Sequence, residues 1–268
     1  MPELPEVETV VRTLERMISG RTIIHAEVRY PKMIEMDPEA FVRKMEGQTF
    51  RIFSRRGKYL LFGMDDCILC VHLRMEGKFF VSEPELPRNR HMHVIFDLDD
   101  GRQLRYQDTR KFGRMEILEK NIDLCAFHGL GPEPFQDAFT PKYIHDWRKR
   151  HSTALKTMML DQSFVAGVGN IYADEILFAC RLRPGRSCKR ITKADEEAIV
   201  RHTRRILNEA IRAGGTTIRS YTSSLGVTGL FQNDCFVHEK KICRVCGSEI
   251  RMKRIGRRSS YYCPVCQK

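Results

Sequence analysis

The chain opens Met1-Pro2-Glu3-Leu4-Pro5-Glu6-Val7-Glu8, and these eight residues set both the first helix and its chemistry. Pro5 suits the first turn of a helix, where an N–H has no intrahelical partner to lose. Val7, Val10, Val11, Leu14 and Ile18 then recur at helical spacing, and Gly20 is a good stop. The spacing therefore predicts a helix that buries one apolar face and begins beside the chain start. An initiator methionine followed by a small residue is usually trimmed, and trimming here leaves Pro2 with a free secondary amine. Such an amine attacks an aldehyde-like carbon to give a charged iminium, the chemistry of lysine Schiff bases with a different nitrogen. Glu3 and Glu6 lie close enough in sequence to move protons to and from that site.

The 268 residues suffice for two domains and a sizeable core. Lys and Arg number 46 against 34 Asp and Glu, a net charge of +12, which favours a polyanionic partner, nucleic acid before anionic membrane. No run of eighteen apolar residues and no basic-then-apolar leader appears, so the expectation is an untargeted intracellular protein. Ten cysteines in such a chain point to metal binding or burial rather than disulfides.

Residues 21–120 read mostly as strands. Tyr59-Leu60-Leu61-Phe62, Ile68-Leu69-Cys70-Val71-His72-Leu73, Val94-Ile95-Phe96-Asp97-Leu98 and Gln103-Leu104-Arg105-Tyr106 are short apolar or alternating runs. Asp99-Asp100-Gly101 between the last two is a hairpin signal, and many short strands suggest a sandwich or barrel. Cys67 and Cys70 form a C-x2-C that runs straight into a strand with no second pair nearby, so they are expected in the core. Around 129–141, Gly129, Gly131, Pro132, Pro134 and Pro141 break any pattern and suggest a linker. Helices are expected at about 142–149, 152–160, 170–180 and 193–213. The last has Thr192 and the acidic Asp195-Glu196-Glu197 near its start and Gly214-Gly215 at its end, which are good caps. Gly167 and Gly169 lie in the turn before Asn170, which makes a helix–turn–helix variant whose helix start is a natural phosphate seat.

The tail carries the most specific local pattern. Cys243-Arg244-Val245-Cys246 and Cys263-Pro264-Val265-Cys266 are two C-x2-C knuckles sixteen residues apart, the zinc-ribbon template. Four thiolates so spaced give a closed tetrahedral site with no open position for water. Arg251, Lys253, Arg254, Arg257 and Arg258 make the intervening hairpin a probe for a phosphate groove.

Taken together, Pro2-Glu3-Leu4-Pro5-Glu6, Arg56-Gly57-Lys58, His72-Leu73-Arg74-Met75-Glu76-Gly77, Arg110-Lys111-Phe112-Gly113, Gly169-Asn170-Ile171-Tyr172 and the four tail cysteines resemble the formamidopyrimidine-DNA glycosylases. The motifs stand in that family's order and span essentially the whole chain. The resemblance implies an α+β fold: an N-terminal β-sandwich with an N-terminal helix, a helical helix–two-turn–helix domain and a C-terminal zinc-finger β-hairpin. It implies a catalytic sandwich at 1–128, a linker at 129–141, the helical DNA-binding domain at 142–230 and the zinc finger at 231–268. One structural Zn2+ and damaged double-stranded DNA, held in a cleft between the halves, are the implied cofactor and partner. A monomer suffices, no membrane is involved, and the location is cytoplasmic, associated with the nucleoid in a bacterium.

The implied activity is that of a bifunctional base-excision-repair glycosylase and abasic-site lyase for 8-oxoguanine and formamidopyrimidines. Pro2 would form the Schiff base at C1′, Glu3 would act as general acid and base with Glu6 in support, and β,δ-elimination would follow. Lys58 and Arg258 would contact phosphate and donate protons. His72, Asn170 and Arg258 would hold the phosphates around an extruded nucleotide. Met75, Arg110 and Phe112 would fill the hole left in the duplex, and His91, Lys156 and the loop 217–232 would add DNA or base contacts. The residue types suit these tasks. A base inside a duplex must be flipped out to be attacked, methionine and phenylalanine are good wedges, and arginine bonds an orphaned base edge.

The chain departs from the family pattern in three places. The finger tip Arg257-Arg258-Ser259-Ser260 lacks the usual glycines, so Arg257 rivals Arg258. The approach from Phe231 to Ile242 is about two residues short of the expected turn, and Thr109 stands where an aliphatic residue is usual. Two other functions are compatible with the residues: excision of oxidised pyrimidines by the sister class, and non-catalytic zinc-dependent DNA binding.

Overall fold

In a computed structural model of the chain, residues 1–125, 127–216 and 230–268 are described. The first helix, α1 (Leu4–Ile18), begins where the sequence places it. Glu3 and Glu6 form a reciprocal capping box, each carboxylate taking the other's backbone N–H, so two orphan donors of the first turn are satisfied. Val7, Val10, Val11, Leu14 and Ile18 are all buried, and Gly20 turns the chain away with φ +76°.

Two α-helices and eight strands build the first unit, Met1–Asp123, which residues 214–216 join from later in the chain. After α1 come β1 (Ile23–Val28), α2 (Pro38–Met45), β2 (Ile52–Arg56), β3 (Tyr59–Gly63), β4 (Cys67–His72), β5 (Lys78–Ser82), β6 (Met92–Leu98), β7 (Gln103–Gln107) and β8 (Arg114–Glu119). They pair antiparallel as two four-stranded sheets, β1-β6-β7-β5 and β2-β3-β4-β8. Leu60, Phe62, Leu69 and Val71 of one sheet share a single buried cluster with Val94, Phe96, Leu104 and Tyr106 of the other. The apolar stripe of α1 completes that cluster, packed on β2 and β3. The sandwich and the β6–β7 hairpin through 99–101 are as expected. The helix α2 was not expected among strands, although its cap was readable: Asp37 accepts the Ala40 N–H at 2.8 Å and Pro38 occupies the first turn. Cys67 and Cys70 are buried, 2% and 1% exposed, as a core pair should be. Three positions apart on a strand, they face opposite sides of the sheet and cannot share an ion.

The second unit comprises Leu124–Ala213 and Leu230–Lys268. Its helices are α3 (Pro141–Arg150), α4 (Leu155–Leu160), α5 (Asn170–Ala179) and α6 (Lys193–Arg212), and β9 (Arg251–Ile255) with β10 (Arg258–Tyr262) forms the terminal hairpin. The Thr192/Asp195 capping box opens α6 as expected. The stretch 129–141 has no long element, yet it is pinned to the helices. Gly131 N–H donates to Gln162 at 2.8 Å, and the Arg204 guanidinium donates to the carbonyls of Pro134, Gln136 and Phe139. Among the described residues no helix is long and apolar enough to cross a membrane.

Candidate functional site

In the first unit, strand register collects most of the expected side chains at one rim. Tyr59 pairs with His72, and His72 with Arg114. The start of β3, the end of β4 and the start of β8 therefore lie side by side. In the other sheet Gln107 pairs with both Lys78 and Met92, so the end of β7 meets the starts of β5 and β6. The segments leaving that rim hold Lys58, His72 to Gly77, His91, and Asp108 to Gly113.

Lys58 lies in the two-residue turn between β2 and β3, where Gly57 takes φ +57°. Its side chain is buried, 6% exposed. Three residues earlier, in β2, Arg55 pairs with Glu8 of α1 at 2.8 Å, which ties this hairpin to the first helix. His72 packs edge-on against Tyr59 and accepts the Arg74 N–H on Nδ1 at 2.9 Å. That bond puts the proton of the neutral ring on Nε2, a donor suited to a phosphate oxygen. Pro2 is buried, and Glu3 is 3% exposed. Glu6 is equally buried, and its carboxylate accepts N–H bonds from Glu3 at 2.9 Å and Thr216 at 2.7 Å and the Thr216 hydroxyl at 3.0 Å. These bonds hold the Glu6 carboxylate against the backbone of Glu3.

Asp108 organises the turn that holds Arg110 and Phe112. Fully buried, its carboxylate accepts the N–H groups of Arg110 at 2.9 Å, Phe112 at 2.9 Å and Gly113 at 2.7 Å. Its own N–H donates to His91, and its carbonyl meets Nε2 of His93 at 2.8 Å. Lys111 sits at φ +58° inside this turn. The Arg110 guanidinium lies 4.8 Å over the Phe112 ring, a cation–π contact, and the ring is 47% exposed. Met75 is half-buried in the adjacent turn.

In the second unit, Asn170 opens α5 behind the Gly167 turn, which Gln162 braces by accepting from Gly167 and donating to Val168. The Oδ1 of Asn170 is buried without a hydrogen-bond partner in the first turn of α5. Lys156 does not present its charge to solvent. It is fully buried, donating to the Asn170 carbonyl at 2.7 Å and pairing with Asp174 at 2.6 Å. The expected DNA contact by its side chain gives way to a strut, because a buried ammonium stays charged only when paired and hydrogen-bonded. Asp174 also meets His238 Nδ1 at 2.7 Å, and His238 packs on the Tyr261 ring. Next to it, Glu175 accepts three successive N–H groups, Phe236, Val237 and His238, at 2.8 to 3.0 Å. Burial pushes the Glu175 carboxyl up while those amides oppose it. The segment 236–238 is thus anchored through α5.

The finger tip turns through Gly256 at φ +55° and Arg257 at φ +66°, a type I′ geometry. Arg258 pairs with Ile255 and starts β10. Both arginines are exposed, but only Arg258 is on the strand, on the face it shares with Ser260. Gly256 keeps one permissive residue in the turn, and Arg257 tolerates the other left-handed position.

The sulfur atoms of Cys243, Cys246, Cys263 and Cys266 lie within 4.8 Å of one another. Cys243 and Cys266 are 3.9 Å apart and Cys246 and Cys263 3.5 Å. Zn–S bonds of ~2.3 Å in a tetrahedron give S···S of about 3.8 Å, so the donor set fits one zinc ion. Burial opposes ionisation of Cys263, but the Ser248 hydroxyl and the Cys266 and Val265 amides hold its thiol at about 6. The loop expected to contact the base, 217–232, lies outside the described residues except for 230–232. Sequence inspection missed Asp108, Tyr106, Gln162, Asp174 and Glu175. For Asp108 a signal was present, an Asp two residues before Arg110-Lys111-Phe112-Gly113, as in Asx-type turns.

Three family models match the chain: the formamidopyrimidine-DNA glycosylase N-terminal domain over 1–115, its H2TH domain over 130–222, and the zinc finger found in FPG and IleRS over 241–268. The formamidopyrimidine-DNA glycosylase of Bacillus licheniformis is 43% identical over the whole of both chains, and that of Streptococcus mutans 44%. Among solved structures, a Lactococcus lactis Fpg variant in complex with Fapy-dG-containing DNA superposes with a TM-score of 0.94 at 39% identity and full coverage of both chains. The same organism's Fpg with an abasic-site DNA gives 0.93, at 39% identity over 99% of each chain. With the finger model matched, the four cysteines form a structural zinc site.

Proposed function

The chain belongs to the formamidopyrimidine-DNA glycosylase family, and from that premise we propose that it excises oxidised purines from duplex DNA and cleaves the resulting abasic site through Pro2. The observation that carries this is the join between the chain start and the rim of the sandwich. Pro2 and Glu3 are buried ahead of α1, Glu6 fixes the Glu3 backbone, and the Glu8–Arg55 pair ties α1 to the hairpin of Lys58.

Removal of Met1 frees the Pro2 nitrogen as a secondary amine, which attacks in its neutral form. The nitrogen lone pair forms a bond to C1′ as the bond from C1′ to the damaged base breaks. Glu3 protonates O4′, the sugar opens, and an iminium joins Pro2 to the deoxyribose. The iminium acidifies the C2′ proton, and its loss expels the 3′ phosphate. A second elimination expels the 5′ phosphate, and water releases Pro2. Lys58 and Arg258 donate protons to the departing groups. His72 Nε2–H and the start of α5 at Asn170 bind flanking phosphates. Arg110, Phe112 and Met75 occupy the space the flipped nucleotide leaves. Zinc takes no part in the chemistry and holds the hairpin that carries Arg258.

Borohydride reduction on a duplex containing 8-oxoguanine opposite cytosine should link the protein to DNA, with Pro2 as the modified residue by mass mapping. Pro2→Gly should abolish the adduct. Normal trapping by Pro2→Gly would reject the nucleophile assignment, and faster excision of thymine glycol than of 8-oxoguanine would move the chain to the sister specificity.

A further inference from the structure

Two turns at the rim of the sandwich cross from one sheet to the other. The Met75 turn leads from β4 to β5, and the Arg110–Phe112 turn leads from β7 to β8. Tyr106, next to the end of β7, stands between them. Gly77 closes the first turn and Gly113 the second, and a Cβ added at either would fall on the Tyr106 hydroxyl oxygen. Both glycines are thus required by one phenol, which is fully buried and braced by the Phe79 ring at 5.0 Å. A second tie crosses further out: the Thr109 hydroxyl donates to the Glu76 carboxylate. Thr109 here supplies a bond that an aliphatic side chain cannot make. Asp108 holds the second turn to the strand between these ties.

We propose that Tyr106 and Thr109 are positioning residues that lock the Met75 turn and the Arg110–Phe112 turn into one rigid head for entering the base stack. The proposal rests on the assignment of Met75, Arg110 and Phe112 to the duplex in the preceding section. Wedging into a stack costs a few kcal/mol of unstacking. Two independently mobile turns would add the entropy of ordering both at that moment, and a pre-assembled head does not. Neither side chain is placed among the reacting groups, so their loss should slow lesion capture in a duplex and leave sugar chemistry intact. Single-stranded DNA has no hole to fill, which separates the two effects.

The experiment compares Tyr106→Phe and Thr109→Val with the wild type on two substrates. One is single-turnover release of 8-oxoguanine from a duplex. The other is borohydride trapping on a single strand with a preformed abasic site. Loss of the Thr109 hydrogen bond, or of the Tyr106 oxygen that fills the space left by Gly77 and Gly113, corresponds to about a 3- to 10-fold slower duplex reaction, with single-strand trapping unchanged. Thermal melting monitors the fold, and if Tyr106→Phe is unstable the exposed Thr109 carries the comparison. Unchanged duplex rates in both variants, or parallel losses on both substrates, would overturn the proposal. Wild-type protein inert on both substrates would instead overturn the enzymatic function, and the proposal with it.

Discussion

The carboxylate of Glu6 takes the backbone N–H of Thr216 at 2.7 Å, across 210 positions of chain. Through its other oxygen it holds the N–H of Glu3 at 2.9 Å. One side chain thus fixes the backbone of the proposed acid/base and that of Thr216. If Glu6 works by placement, Glu6→Gln keeps an acceptor and should retain trapping within about tenfold. Glu6→Ala leaves buried donors unsatisfied and should cost about 1–3 kcal/mol of stability for each. Trapping rates and urea melts of the two variants check this, and equal loss in both would instead favour a proton-carrying Glu6.

Lys156 and Asp174 are both fully buried. Removing one partner of such a pair strands the other charge, at about 3–5 kcal/mol. Lys156→Ala should therefore melt much earlier than the wild type, and Lys156→Met with Asp174→Leu should recover part of the loss. His238 sets a limit on that recovery, since it also bonds Asp174. Calorimetric melting of the single and double variants reads this directly.

His93 bonds the Asp108 carbonyl beneath the Arg110–Phe112 turn. Burial, with Lys111 nearby, pushes its ring below the usual histidine range. A folded-state value below the unfolded one means the folded protein keeps the ring neutral while the unfolded chain charges it. The contribution is complete above the unfolded pKa of about 6.5 and is lost as pH falls from there through the depressed folded value. Stability measured against pH should decline over that acid window, and His93→Gln should flatten that part of the curve.

The zinc hairpin should depend on its ion outright, because metal affinity in small thiolate sites is folding free energy. Chelation should release about one zinc per chain and weaken DNA binding, while the Pro2 end of the molecule stays folded. A metal-free preparation with unchanged DNA affinity would remove the hairpin from the DNA contact.

Much of this molecule was legible before its fold was known, for identifiable reasons. The apolar stripe of α1 and the thiol pairs are local patterns, and local patterns survive folding. The α2 helix was hidden among strand-like residues, although Asp37-Pro38 marks its start. Lys156 was expected to contact DNA because sequence spacing cannot reveal that Asp174 and the Asn170 carbonyl meet it inside the fold. Asp108 and Tyr106 act on turns brought beside them by strand register, and register is a long-range property. The tip at Arg257 looked starved of glycine, yet Gly256 one position earlier supplies the turn.

The segments holding Lys58, Met75, His91 and Arg110 to Phe112 leave the sandwich at the same end, while the 99–101 turn emerges at the other. The seven residues of β6 span about 20 Å between those ends. That turn is exposed and rides on a glycine at φ +85°. A fluorophore or affinity handle grafted there would give a reporter for single-molecule tracking on DNA, mounted well away from the surface that does the work.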